Sequence, residues 1–360
     1  MTRIYPLQSA LPGITQAPHN QVIASPPSIE RRAQVSTDQT KPPSKNILAK
    51  LIEASKESRF ARLALGFIGA AGFGINHFLE YFGIDVGFSS KIEKLQNSFL
   101  FKPNHIDYFP PPDRNKVSFE EVSISVKDGS KLHGYYFPKE DADLTMIFLH
   151  GYNGNADECF PESLKIREHI NANVLIVDYR GFGKSEGSPT RAGVIEDAEA
   201  MYNFLTEVKG IEGKRIILSG SSLGGSIALS LTEKLRKSGK DLGIVSILYP
   251  FSSVRDVAKW RFPHIPNFFI FDDLLNSKES VKNLTVPLFI GHGDNDKDTP
   301  LEQSVKIYSS AKLLDSSEKE LFVIPGLGHE HLCETGDHIT REYFTALRNF
   351  VDRHLRTQKR

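Results

Sequence analysis

The sequence predicts a doubly wound α/β domain, built on a mostly parallel sheet, from about residue 117 to residue 356. Three observations carry this. Short, almost wholly apolar runs recur at 145–149, 174–177, 215–218, 244–248, 286–290 and 321–324, and such runs suit parallel strands covered on both faces. Helical stretches separate most of them, near 158–169, 194–208, 223–238, 301–314 and 341–356. That alternation specifies strands joined by right-handed helical crossovers. Ahead of the first run, two alternating stretches, 117–126 and 132–137, flank Asp128-Gly129. They read as an antiparallel hairpin, because Asp-Gly supplies the positive φ that a tight turn demands.

The elements before the sheet differ in kind. Residues 1–45 hold seven of the 20 prolines and no sustained apolar run, as expected of a disordered arm and not of a secretory leader. Within 46–97, the stretch 63–75 (LALGFIGAAGFGI) is 13 residues without a charge. A bilayer-spanning helix needs about 20 apolar residues, and shorter runs suit a buried or interfacial helix. Gly66, Ala70 and Gly74 repeat as small-xxx-small, and Arg59, Arg62, Phe78, Tyr81 and Phe82 flank the run, as at a headgroup interface. Residues 63–82 are therefore either a membrane-associating segment or a helix packed on the catalytic domain, which is expected over 98–360. The matching locations are the cytoplasm or a membrane surface.

One interval breaks the alternation. Residues 252–282 contain the only tryptophan, Trp260, with Phe262, Phe268, Phe269 and Phe271. This is long for a strand-to-helix connection and too aromatic for a solvated loop. It reads as a short cap whose aromatics Trp260, Phe262, Phe268 and Phe269 line an apolar substrate channel, or as a structural insertion.

Bulk composition narrows the function. Lysine plus arginine equals aspartate plus glutamate at 44 each, so no net field draws nucleic acid. The two cysteines, Cys159 and Cys333, make neither a disulfide framework nor a metal spacing. No cofactor motif stands out.

The chemistry is in three loops. Gly220-Ser221-Ser222-Leu223-Gly224 follows a strand and opens a helix, the context in which G-x-S-x-G forms a nucleophile elbow. The turn that projects Ser222 leaves no room for side chains at 220 and 224; Ser221 lies at the wrong position of the elbow. A serine hydroxyl needs a base, and His329 in Pro325-Gly326-Leu327-Gly328-His329 follows the last strand; His331 competes with it. The base needs an orienting carboxylate, and 291–300 (GHGDNDKDTP) offers Asp294, Asp296 and Asp298. The spacing H-G-x-x-D-x-x-x-P selects Asp296, while His292 reads as packed at a strand end. Two backbone donors for an oxyanion are expected at Leu223, after the nucleophile, and at Tyr152, after His150-Gly151.

These residues, with Phe99-Leu100-Phe101-Lys102-Pro103, His150-Gly151-x-x-Gly154-Asn155 and 178–187 (DYRGFGKSEG), resemble the α/β-hydrolase superfamily. Within it they resemble the branch of bud-emergence-type hydrolases and membrane-attached protein depalmitoylases. The resemblance implies the α/β-hydrolase fold, a structural role for 178–187 and an N-terminal anchor at the position of 63–75. The arm lacks the cysteine cluster that some depalmitoylases use for lipidation. The activity so implied is a serine esterase or thioesterase on lipophilic acyl substrates. A small-peptide peptidase and a catalytically idle binding or membrane-recruitment module are the alternatives. Oligomeric state has no signature in the sequence.

Overall fold

The computed structural model describes residues 97–98, 100–106, 117–261, 275–329 and 337–356. All of them fall within one compact unit, Ser90–Arg360. The arm, the apolar run 63–75 and the cap residues Phe262, Phe268 and Phe269 lie outside the described residues, as do His331 and Cys333.

The strands are β1 (Glu120–Ser125), β2 (Lys131–Phe137), β3 (Thr145–Leu149), β4 (Asn173–Val177), β5 (Ile216–Ser221), β6 (Ile244–Leu248), β7 (Leu288–Gly293) and β8 (Lys319–Ile324). They form a single sheet in the order β1-β2-β4-β3-β5-β6-β7-β8. β2 is antiparallel to β1 and to β4, and every later pairing is parallel. The hairpin turns at Gly129, whose φ is +89°.

The helices are α1 (Phe160–Ile166), α2 (Arg191–Asn203), α3 (Leu223–Lys237), α4 (Val254–Arg261), α5 (Ser277–Ser280), α6 (Glu302–Ser310) and α7 (Asp337–Val351). Thr190 starts α2 by accepting the Gly193 N–H at 3.0 Å, which satisfies one first-turn donor.

Alternation along each strand divides the core between the two faces. On β3, Ile147 and Leu149 pack with Val194 and Met201 of α2 and Ile227 and Leu231 of α3. Met146 and Phe148 point to the other face, with Phe160 of α1 and Phe344, Leu347 and Phe350 of α7. Each such side chain contributes about 1.5–3 kcal/mol on burial.

Two strands run past the apolar runs that announce them. β5 continues through Ser219-Gly220-Ser221 because its backbone pairs with β6 up to Ser221↔Leu248. β7 likewise takes in Gly291-His292-Gly293 by pairing with β8 up to Gly293↔Ile324. Parallel pairing is a backbone property, so polar and glycine residues extend a strand whose neighbours are in place.

The chain passes from β3 to β4 on one side, then returns to β5 on the other. In open α/β sheets ligands bind at such a reversal, beyond the carboxyl ends of the strands. The register Leu149↔Gly220, Ser221↔Leu248, Leu248↔Gly291 brings those ends level.

Candidate active site

The elbow is the sharpest bend at that edge. Ser222 has φ +53° and ψ −115°, a strained conformation for a residue with a side chain. It is pinned by its N–H donating to Leu248 O of β6 at 2.9 Å. The flanking glycines are steric necessities. A Cβ on Gly224 would lie 2.0 Å from Leu149 O, and one on Gly220 would lie 2.4 Å from the Gly224 backbone. α3 thus starts in contact with the end of β3, and its first turn closes as the Gly225 N–H donates to Ser222 O at 3.1 Å.

His329 reaches the elbow from the loop after β8. Its Nε2 accepts from the Ser222 hydroxyl at 3.0 Å, and its Nδ1–H donates to Asp296 Oδ2 at 2.7 Å. A carboxylate can only accept, so this pair of contacts defines the tautomer. Two loops cross closely to achieve it. A Cβ on Gly293 would lie 2.1 Å from Leu327 O, and the Asn295 N–H donates to that same carbonyl at 3.1 Å.

The three aspartates of the β7 loop have separate partners. Asp294 accepts the Gly326 N–H at 2.6 Å, holding the turn before His329. Asp298 pairs at 3.4 Å with Arg261 at the end of α4. Asp296 alone meets the imidazole. Its Oδ1 accepts the N–H groups of Asp298 at 2.9 Å and Thr299 at 2.8 Å.

His292 is packed at the end of β7, fully buried, and it also touches the acid. Its Nε2 lies 2.7 Å from Thr299 O and 3.4 Å from Asp296 Oδ2, so Nε2 carries the proton. Its Nδ1, 2.6 Å from Ser304 Oγ, then accepts from that hydroxyl. The signal for this second histidine in the sequence is its place four residues before Asp296. Burial pushes the Asp296 carboxyl upward, but hydrogen bonds from His292, His329 and the Thr299 amide outweigh it and hold it well below the usual carboxylate range.

The loop after β3 borders the nucleophile: a Cβ on Gly151 would stand 3.9 Å from Ser222 Cβ. Tyr152, the next residue, is fixed through its carbonyl, which accepts the Lys102 N–H at 2.9 Å. Behind this loop, 178–187 forms a knot. Asp178 Oδ1 accepts the Ala156 N–H at 2.7 Å, Ser185 Oγ donates to Asp178 O at 2.8 Å, and Arg180 grips Asp197 of α2 through Nε and Nη2. Gly183, with φ +48°, has no room for a Cβ, which would fall 2.1 Å from Asp178 Oδ2. Trp260 sits in the last turn of α4 and is 55% exposed.

A sequence model of the α/β hydrolase fold matches residues 145–280, the stretch from β3 through the elbow to α5. The chain has the α/β-hydrolase fold. Its curated relatives include the protein YfhR of Escherichia coli O157:H7, 29% identical over 266 residues, covering 72% of this chain and 88% of that one. They also include protein bem46 of Schizosaccharomyces pombe, 25% identical, covering 74% of this chain and 88% of that one. Among solved structures, an esterase of Pyrococcus furiosus superposes with a TM-score of 0.57 at 23% identity, over 71% of this chain and 98% of that one. That likeness is one of fold.

Within this fold, burial drives Asp178 up to about 7, with the nearby Asp157 carboxylate adding to it and the Ala156 N–H opposing. Asp178 therefore contributes stability that is fully present below its unfolded pKa near 4 and is lost as pH rises through about 7. Asp178→Asn removes this dependence. Its stability relative to the parent is expected to climb between about pH 4 and 7, by up to about 1.4 kcal/mol per pH unit, and to level off above that. Urea unfolding of both proteins at the two pH values checks this; a constant difference contradicts it.

Among the described residues, no helix is long and apolar enough to cross a membrane.

Proposed function

We propose that this α/β hydrolase is a serine esterase or thioesterase that cleaves lipophilic acyl substrates through an acyl-enzyme intermediate. The observation that carries the reading is the relay Ser222 Oγ–His329 Nε2 at 3.0 Å and His329 Nδ1–Asp296 Oδ2 at 2.7 Å. As Ser222 Oγ attacks the acyl carbon, His329 Nε2 takes its proton, and Asp296 stabilises the imidazolium that forms. The carbonyl oxygen becomes an oxyanion, received by the N–H groups of Leu223 and Tyr152. When the intermediate collapses, the bond to the leaving oxygen or sulfur breaks, and His329 hands its proton to that atom. His329 then deprotonates a water, which attacks the acyl carbon; Ser222 leaves with the proton and the acid is released.

The lipophilic acyl group is inferred from two stretches of sequence. Residues 252–282 carry Trp260, Phe262, Phe268 and Phe269, and 63–82 combine an apolar run with basic and aromatic flanks, which suits a substrate held at a bilayer surface.

A series of p-nitrophenyl esters from acetate to octanoate tests this reading. Each buried methylene contributes about 0.8 kcal/mol, so kcat/KM is expected to rise by up to about tenfold per added carbon pair. A flat or falling profile would mean a small polar acyl pocket. Absence of turnover of any ester or thioester would remove the proposed activity.

A further inference from the structure

Tyr249, directly after β6, has a conformation that its residue type avoids. Its φ is +36°, in the left-handed region where bulky side chains are outliers. The next residue, Pro250, adds a second restriction, since the residue before a proline is pushed toward extended backbone. Such a conformation persists only where the surroundings over-determine it, and here they do. The Tyr249 N–H donates to Gly291 O of β7 at 2.8 Å, while the preceding carbonyl, Leu248 O, accepts the Ser222 N–H at 2.9 Å. The end of β6 is thereby tied on one side to the nucleophile and on the other to the strand that leads to Asp296.

The bend delivers an aromatic ring against the base. Tyr249 is 3% exposed, and its ring centroid lies 4.8 Å from that of His329 at an interplanar angle of 51°. The hydrogen bonds of His329 to Ser222 and Asp296 leave one freedom uncontrolled. They engage the two ring nitrogens alone, so they set the axis between Ser222 Oγ and Asp296 Oδ2 but not the tilt of the ring about it. The loop that carries His329 is held at Gly326 by Asp294 and at Leu327 by the Asn295 N–H, contacts that precede the histidine and do not touch its ring.

We propose that Tyr249 is a positioning residue, the wall that sets the tilt of the His329 imidazole between Ser222 and Asp296, in return for which β6 ends in a strained backbone. This rests on the triad reading above. The effect acts on kcat, and it does not require the ring to touch substrate.

The test is steady-state hydrolysis of p-nitrophenyl butyrate by the full chain, with the rate of fluorophosphonate labelling and the unfolding midpoint measured in parallel. Tyr249→Phe keeps the ring and is expected to retain kcat within about threefold, whereas Tyr249→Leu keeps bulk without the ring and is expected to lose roughly tenfold to a hundredfold in kcat. KM should stay within about threefold of the parent and labelling should slow with kcat, since both read the reaction of Ser222. Tyr249→Asn, which accepts positive φ more readily, repeats the test should the leucine variant fail to fold. A ring-free variant with parental kcat overturns the proposal, and so does a phenylalanine variant as slow as the leucine one. Ser222→Ala in the same assay separates the two readings. If it retains parental turnover, the triad itself is wrong; if it is inactive while Tyr249→Leu is not, only the role of Tyr249 fails.

Discussion

Ser222→Ala is expected to lower kcat by roughly a millionfold, because removing the nucleophile of a triad leaves its other two members with nothing to activate. The fold should survive. The elbow's N–H bond to Leu248 O and its glycine contacts with Leu149 O belong to the backbone, and an alanine keeps them. Far-ultraviolet circular dichroism and the unfolding midpoint should match the parent while p-nitrophenyl ester turnover disappears. A variant that stays folded and keeps more than a few per cent of parental kcat would remove Ser222 from the mechanism.

Asp296→Asn should be nearly as severe in kcat, by about ten thousandfold, with KM little changed. An amide that offers its NH2 to His329 Nδ1 leaves that nitrogen an acceptor and moves the proton to Nε2, which then cannot take one from Ser222. The same substitution disturbs two neighbours at once, since Asp296 Oδ2 is approached by both His329 and His292. Asp294→Asn and Asp298→Asn serve as internal controls. Asp294 holds the Gly326 turn, so its loss should cost far less, through a looser His329 loop. Asp298 pairs with Arg261 at 58% exposure on both sides, a pair worth no more than about 1 kcal/mol. Should Asp294→Asn be the most damaging of the three, the assignment of the acid fails.

The parts of this molecule that could be read from sequence are those where local chemistry leaves few options. Asp128-Gly129 dictates a tight turn, and Gly220 and Gly224 bracket Ser222 because a side chain at either would strike backbone. The spacing that singles out Asp296 among three aspartates coincides with the one that meets His329, for a physical reason. Only from that position do the amides of Asp298 and Thr299 fold back onto the carboxylate and leave its other oxygen for His329. What stayed hidden depends on neighbours distant in the chain. The polar ends of β5 and β7 are strand only because β6 and β8 lie beside them. His292 looks like a core histidine, and is one; its contact with Asp296 exists because the loop returns to it. Tyr249 carries no motif at all. Its link to His329 joins residues 80 positions apart, on loops that meet only when β6 and β8 flank β7.

The central claim is that Ser222 is the atom donor to a covalent acyl-enzyme. It is tested most directly by labelling the full chain with a fluorophosphonate at neutral pH, digesting it, and mapping the adduct by tandem mass spectrometry. One phosphonyl group per chain is expected, on Ser222 within the peptide that joins β5 to α3, with labelling abolished in Ser222→Ala and strongly slowed in Asp296→Asn. An adduct on Ser221 or on any serine outside the elbow would contradict it, as would a folded parent chain that takes up no label.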